Sequence, residues 1–191
     1  MANIEIKVRC NDLKKARATA MQIQTAYLGI LHQVDTYFAT KIGRLKLREI
    51  NNESAQLIPY IKGYQAGPMK SDYALMSVDN PTLVKNLFDN LLGVEFVVDK
   101  KREVFLFENV RIHLDEVVNL GTFIEFEAVC ANDSEQEQNQ QHVKIANLMK
   151  AFEIQAADLL DLSYVDYLAP ESRRIVRPGF EPNTESRDAP L

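Results

Sequence analysis

The chain has 191 residues, 46% of them hydrophobic and 26% charged, which is typical of one soluble globular domain. Its net charge of −5 argues against a nucleic-acid or anionic membrane surface as the partner. No apolar run approaches the roughly 20 residues that span a bilayer, the N-terminus is unlike a signal peptide, and two cysteines exclude a disulfide framework, so we expect a cytoplasmic protein.

The first half of the chain predicts one strand, one helix and then a set of hairpins. Polar and apolar residues alternate over residues 1–10, which are also rich in β-branched side chains, as in a strand. Asn11 and Asp12 offer an N-cap, apolar residues recur at helical spacing as far as Tyr27, and Gly29 fits the helix end. Four short strands are expected between about residues 33 and 77, with turn residues at their breaks.

The second half predicts another helix, more strands and a third helix. Pro81 follows the cap candidates Asp79 and Asn80, and Gly93 closes this second helix. Three or four strands follow between about residues 94 and 130, then a helix near 136–153. The result is an α+β domain over residues 1–169, whose sheet could close into a barrel, and an extended or disordered tail over residues 170–191.

Charged side chains alternate along the predicted strands, so that each strand has one charged face and one apolar face. The residues that share a charged face are Glu5, Lys7 and Arg9; Arg44, Lys46 and Arg48; Lys100 and Arg102; Arg111, His113 and Asp115; and Glu125 and Glu127. Lys62 and Lys70 add charges on neighbouring strands.

A solvated sheet face explains such alternation in any single strand. The grouping of signs by strand favours a different interpretation, because like charges on one sheet face repel unless an opposite charge lies between them. A polyanion would relieve the basic strands, and a divalent cation would relieve the carboxylates. The pattern therefore predicts an anion-binding site with a metal.

The same strands carry a set of motifs in a recognisable order. NIEIKVR resembles the opening acidic motif of the CYTH or triphosphate tunnel metalloenzyme superfamily. QVDTYF and GRLKLRE resemble its class IV adenylate cyclase-like branch. The similarity continues through YIKGY, KKREVF, VRIHLDEV, LGTFIEFEAV and SYVDYL, to about residue 168.

This resemblance implies a closed eight-stranded antiparallel β-barrel that encloses a hydrophilic tunnel, with the helices outside. It also implies that carboxylates hold Mg²⁺ or Mn²⁺, which hard oxygen ligands suit. The implied metal ligands are Glu5, Glu125, Glu127 and Asp115. The implied triphosphate-binding residues are Lys7, Arg9, Lys46, Arg48, Lys62, Lys70, Lys100, Arg102 and Arg111.

Three positions carry more specific expectations. Asn3 stands where the family has its first glutamate, so Glu5 is the only acidic group of that motif. Lys7 is the candidate catalytic residue, either as a proton acceptor or as a purely electrostatic group. His113 is either a lining residue or a buried structural one.

The resemblance leaves three functions open. The first is a class IV adenylate cyclase-like enzyme, in which the ribose 3′-hydroxyl of ATP attacks the α-phosphate and pyrophosphate leaves. The second is a triphosphatase for inorganic, thiamine or nucleoside triphosphate, and the third is a non-catalytic polyphosphate or nucleotide binder. The expected partner is a triphosphate, with no nucleic acid and no membrane. SYVDYL either packs on the core, closes one end of the barrel or contributes to a homodimer contact.

Overall fold

The computed structural model of the chain describes residues 2–23, 25–62, 69–132 and 134–168, with side chains except at residues 2, 62 and 69–72. The strands are β1 (Ala2–Arg9), β2 (Ala26–Phe38), β3 (Arg44–Ile50), β4 (Ser54–Lys62), β5 (Met69–Tyr73), β6 (Met76–Ser77), β7 (Val94–Phe107), β8 (Val110–Val117) and β9 (Gly121–Val129). The helices are α1 (Leu13–Gln22), α2 (Pro81–Leu92), α3 (Glu135–Ala151) and α4 (Tyr164–Leu168). The predicted α+β class is confirmed, and the predicted tail at 170–191 lies outside the described residues.

One antiparallel sheet contains all nine strands, in the order β3-β2-β7-β8-β9-β1-β5-β4-β6. β3 also pairs with β4, so the sheet curves strongly. The curvature leaves one concave inner face, which collects alternate side chains from every long strand. This concave face carries most of the predicted site.

The expected closed eight-stranded barrel was wrong. The sheet has nine strands, because residues 69–77 form two short strands that meet β4 over only three and two residue pairs. β1 pairs with β5 only as far as Glu5. Beyond that point the described neighbour on this edge is the C-terminal segment, where the Leu160 N–H donates to the Lys7 carbonyl oxygen over 2.8 Å. Among the described residues, the sheet therefore has no strand beside the second half of β1 and does not form a continuous barrel wall.

Two predicted boundaries also differ from the structure. α1 ends at Gln22, and β2 begins at Ala26, so residues 26–29 belong to the strand and not to the predicted helix. Gly29, expected at the helix end, has a φ of 109° within β2, next to an irregularity in the pairing with β7. β7 is one strand of 14 residues where two were expected. The long β2–β7 ladder outweighs the local helical periodicity, since propensity is a weak prior against tertiary pairing.

The helices cover the outer, apolar face of the sheet. Ile4, Ile6 and Val8 of β1 point outward and belong to one core with residues of α1 and α3. Because they alternate with Asn3, Glu5 and Lys7, burying them turns the polar side chains inward.

A second, smaller core holds the C-terminal helix against the inner face. Tyr164 and Val165 of α4 pack with Tyr37, Val98 and Phe123, which closes one end of the concave face. Among the described helices, none combines the length and the apolar character that crossing a membrane requires.

Candidate active site

A cavity of about 420 Å³ lies on the concave face of the sheet. Among the described residues, the charged lining comes from six strands, and the cations outnumber the carboxylates. The lining cations are Lys7, Lys46, Arg48, Lys100, Arg102 and Arg111, and the lining carboxylates are Glu5, Asp35, Glu125 and Glu127. A site of this composition favours an anionic ligand, since like charges that are packed closely repel.

Asp35 of β2 organises the cations of β3. It is 1% exposed, and Arg48 donates to it twice, from Nε to Oδ1 over 2.7 Å and from Nη2 to Oδ2 over 2.8 Å. Lys46 Nζ donates to Oδ2 over 2.9 Å. Burial favours the neutral acid, but Arg48 and Lys46 outweigh it and hold the pKa of Asp35 well below its usual range. The carboxylate therefore fixes both cations at the cavity wall.

Asp115 of β8 has the same role for β7. It is fully buried beneath the lining, and Arg102 donates from Nε to Oδ1 over 2.7 Å and from Nη2 to Oδ2 over 2.6 Å. The Tyr164 hydroxyl donates to Oδ2 over 2.7 Å. Although burial opposes ionisation, Arg102 and Lys100 lower the pKa of Asp115 to about 2. α4 is thus tied directly to the charged network.

Glu125 of β9 joins three strands. Lys7 Nζ lies 3.0 Å from its Oε2, and Arg102 Nη2 donates to its Oε1 over 3.0 Å. His113 Nδ1 lies 3.1 Å from the same Oε1. Burial and the nearby Arg102 lower the pKa of His113, so at neutral pH the uncharged imidazole can donate its Nδ1–H to the carboxylate. His113 is therefore a lining residue and a buried partner of Glu125 at the same time.

Glu5 and Glu127 face each other across the β1–β9 pairing. Asn3 Nδ2 donates to Glu127 Oε1 over 2.6 Å, and Arg111 Nη1 donates to Oε2 over 3.1 Å. The Asn3 carbonyl oxygen Oδ1 is buried and has no hydrogen-bond partner in the described part of the chain. Buried polar atoms are rarely left unpaired, so this oxygen marks a place where a ligand can bind.

The oxygen atoms around Glu5 fit a hard cation only in part. Within the described ranges, no group of three or more Asp, Glu, His or Cys side chains is arranged to hold a metal ion. Asp115 is engaged by Arg102 and Tyr164 beneath the lining, and Glu125 is engaged by Lys7 and Arg102. Glu127 is contacted by Arg111, but the β1–β9 pairing places it opposite Glu5 and beside the unpaired oxygen of Asn3. These oxygens form a small all-oxygen set, which suits Mg²⁺ because this ion keeps several waters and phosphate ligands.

Two lysines of the cavity are held near their titration range. Burial and the neighbouring Arg102 lower the pKa of Lys100 to about 7, and its ion pair with Asp115 Oδ2 is long, at 3.8 Å. Burial and Arg48 lower the pKa of Lys46 to about 8. Lys7 differs, since Glu125 and Glu5 outweigh its burial and raise its pKa. At Lys100 and Lys46, burial and the neighbouring arginines therefore outweigh the carboxylates that pair with them.

The structure brings together six of the nine residues predicted to bind the triphosphate, namely the six lining cations. Arg9 lies outside the cavity, where it is exposed, stacks over the rings of Phe123 and Tyr167 and donates to the Leu120 carbonyl oxygen over 3.1 Å. The side chains of Lys62 and Lys70 lie outside the described residues.

Sequence reasoning assigned no role to Asp35 and treated Tyr164 mainly as core. Asp35 lies two residues from both Gln33 and Tyr37, so the three side chains share one face of the strand. The rule that was applied to the basic strands would therefore have placed Asp35 inward. Tyr164 gave no comparable signal, because a short helix after a loop has no strand periodicity. Its ring centroid lies 4.3 Å from Lys7 Nζ and 5.2 Å from Lys100 Nζ.

Removing only the Tyr164 hydroxyl should weaken the fold measurably. Tyr164→Phe keeps the ring beside Lys7 and Lys100 but removes one charge-assisted hydrogen bond to Asp115. We expect the free energy of unfolding to fall by about 1.5–3 kcal/mol in urea titrations. Tyr167→Phe, on the same short helix, is the matched control, and an equal loss in both variants would contradict a special role for the Asp115 contact.

Comparison with solved structures shows the same fold in several proteins. The PH1012 protein of Pyrococcus horikoshii OT3 has a TM-score of 0.77 at 22% identity, over 86% of this chain and 98% of that one. A conserved hypothetical protein of Pyrococcus furiosus has a TM-score of 0.75 at 18% identity, over 86% and 98%. A proposed adenylate cyclase of Vibrio parahaemolyticus has a TM-score of 0.71 at 22% identity, over 87% and 97%. At these identities the likeness shows the fold alone.

No curated protein matches the chain significantly. Residues 1–164 match the CYTH domain, and this range includes every described residue that lines the cavity. The order of motifs, the curved antiparallel sheet and the cation-lined cavity agree with this match, and the chain therefore belongs to the CYTH domain family.

Proposed function

We propose that this protein is a metal-dependent enzyme that binds ATP through its triphosphate and converts it to cyclic AMP and pyrophosphate. The observation that carries the proposal is the excess of cations on the cavity wall, where six lysine and arginine side chains and four carboxylates are described. Burial and neighbouring arginines lower the pKa of two of these cations, Lys46 and Lys100. A triphosphate supplies several negative charges, and arginines bind phosphate oxygens in pairs while lysines act as point charges.

The residues of the chain would act mainly by positioning and by neutralising charge. Phosphoryl chemistry requires little else from the protein, because negative charge is spread over the phosphate oxygens in the transition state. Lys7 is proposed as a catalytic cation, since its raised pKa supports a charged role over that of a proton acceptor. Support for the cyclase over a hydrolase comes from the resemblance of QVDTYF and GRLKLRE to the cyclase-like branch, and from the structural neighbour in Vibrio parahaemolyticus.

Mg²⁺ or Mn²⁺ is proposed as the cofactor, held by Glu5 and Glu127 with the carbonyl oxygen of Asn3. When bound, such an ion would act as a Lewis acid on a phosphate oxygen. Of the four carboxylates expected as ligands, Glu5 and Glu127 are proposed to hold the metal, while Asp115 and Glu125 lie against Arg102 and Lys7. Their proposed role is to hold Arg102 and Lys7 in place.

The first experiment is an incubation of the purified protein with Mg²⁺ or Mn²⁺ and either ATP or inorganic triphosphate, with products separated by chromatography. Cyclic AMP and pyrophosphate from ATP would support the cyclase. Orthophosphate without cyclic AMP would contradict the cyclase and support a triphosphatase that uses the same cavity. No product from either substrate would contradict both enzymatic proposals and favour a binding protein.

Removing one charge from the proposed metal ligands should slow turnover selectively. We expect Glu5→Gln and Glu127→Gln to lower kcat by about 100-fold, because weakened metal binding removes charge stabilisation at the phosphate. Glu116→Gln is the matched control, since Glu116 lies on the exposed outer face of β8 and contacts only Lys101 among the contacts described for it. Equal activity in all three variants would contradict the assignment of the metal ligands.

A further inference from the structure

Gln33 of β2 is a buried polar residue that takes no part in the ion pairs described above. It is 4% exposed, its side chain lines the cavity, and its carbonyl oxygen Oε1 has no hydrogen-bond partner among the described residues. Only one other buried side-chain atom in the described ranges is unpaired, the Asn3 oxygen beside the carboxylates. An unpaired buried carbonyl costs free energy, so its position requires an explanation.

Gln33 stands at the boundary between two kinds of cavity wall. On one side along the inner face of β2 is Asp35, with its bound Arg48 and Lys46. On the other side is Leu31, and directly opposite in β3 is Ile50. Leu28 and Leu75 complete this apolar rim; they are 57% and 48% exposed, which places them at the entrance of the cavity.

The two unpaired oxygens, Asn3 Oδ1 and Gln33 Oε1, have different surroundings. The Asn3 oxygen lies beside Glu5 and Glu127, where a cation would satisfy it. Gln33 lies between cations and apolar side chains, where a cation is repelled and a phosphate offers only further acceptors. The group that satisfies the Gln33 oxygen must therefore carry an N–H or O–H donor, and the apolar rim beside it suits a flat organic ring.

We propose that Gln33, with the apolar rim of Leu28, Leu31, Ile50 and Leu75, forms a specificity subsite for the organic group of the substrate. The inference rests on the proposed function and deepens it: the ligand is an organic triphosphate whose ring or sugar donates a hydrogen bond to Gln33. Inorganic triphosphate lacks both the donor and the apolar surface. It binds the cationic half of the cavity alone.

The test compares dissociation constants of ATP, thiamine triphosphate and inorganic triphosphate by isothermal titration calorimetry. Each is measured in EDTA and again with Mg²⁺ under conditions where chromatography detects no product. Gln33→Met keeps the length of the side chain and removes the acceptor, and Gln22→Met on the exposed end of α1 is the matched control. We expect Gln33→Met to weaken the preferred organic triphosphate about tenfold, since one lost hydrogen bond is of that order, and inorganic triphosphate less than about twofold.

Ile50→Thr provides a second variant at the rim that does not depend on Gln33. It should weaken the organic ligand several-fold and leave inorganic triphosphate unchanged. Equal effects of Gln33→Met on organic and inorganic ligands, or none, would overturn the subsite while the wild-type protein still binds triphosphates as proposed. Wild-type affinity for inorganic triphosphate equal to that for the organic ligands would also overturn it. If the wild-type protein binds none of the three, the proposed function itself is wrong, and the subsite with it.

Discussion

Replacing Arg102 with methionine is expected to lower the free energy of unfolding by about 3–5 kcal/mol. Arg102 supplies both N–H donors that bind the fully buried Asp115, and without it the nearest remaining cation, Lys100, is 3.8 Å from Oδ2. An unpaired buried carboxylate costs far more than the net value of the ion pair that held it. Urea denaturation followed by circular dichroism measures the change directly.

Two control variants separate burial of charge from loss of packing. The double variant Arg102→Met with Asp115→Asn should recover most of the stability, because the amide still accepts from Tyr164 and carries no charge. Arg111→Met should cost less than about 1 kcal/mol, since the Arg111 side chain is 46% exposed and surface ion pairs contribute little. A loss at Arg102 no larger than that at Arg111 would contradict the structural role assigned to Asp115.

Binding of a triphosphate is expected to take up protons and to weaken as the pH rises. Burial and neighbouring arginines lower the pKa of Lys100 to about 7 and that of Lys46 to about 8, so part of each is neutral at pH 8. A bound polyanion favours the protonated lysines and raises both pKa values. Between the pKa of a lysine in the free protein and its pKa in the complex, binding requires uptake of one proton. For each such lysine the affinity therefore falls about tenfold per unit of rising pH, which should be visible between pH 8 and 9.

Calorimetry in two buffers with different ionisation enthalpies counts the protons that are taken up. Lys100→Met should remove close to one proton from that count at pH 8. Lys101→Met, one residue away on the exposed outer face of β7, should leave it unchanged. Binding to the wild-type protein without proton uptake at pH 8 would show that the lysines of the cavity are already fully charged.

The alternation of charged and apolar residues was sufficient to predict which face of each strand is polar. It correctly turned Lys46, Arg48 and Arg102 toward one another, because burying the apolar face of a strand forces the other face inward. Alternation says nothing about depth along a strand, however. Arg9 shares the face of Lys7 but lies beyond the end closed by Phe123 and Tyr164, so it meets solvent.

Other parts of the site depend on contacts between distant segments, which a local pattern does not contain. Tyr164 reaches Asp115 across 49 residues of sequence, and the division of the carboxylates depends on which cation each one meets in space. The open edge of the sheet has the same origin. A strand pattern in β1 does not reveal that, of the residues described, it is Leu160 that meets the second half of this edge.

The position of β1 within the sheet has a consequence for how the molecule folds. β1 pairs with β9, so that Lys7 opposes Glu125 across 118 residues of sequence, and this long loop must close before the two strands can pair. Proteins dominated by such non-local pairings have a high contact order and fold slowly, in milliseconds to seconds. The local β7–β8–β9 meander can form early, but without β1 it lacks Lys7, Glu5 and Asn3. A chain in which β1 has not yet paired therefore lacks part of the binding cavity, and the completed cavity would report the pairing of β1 with β9.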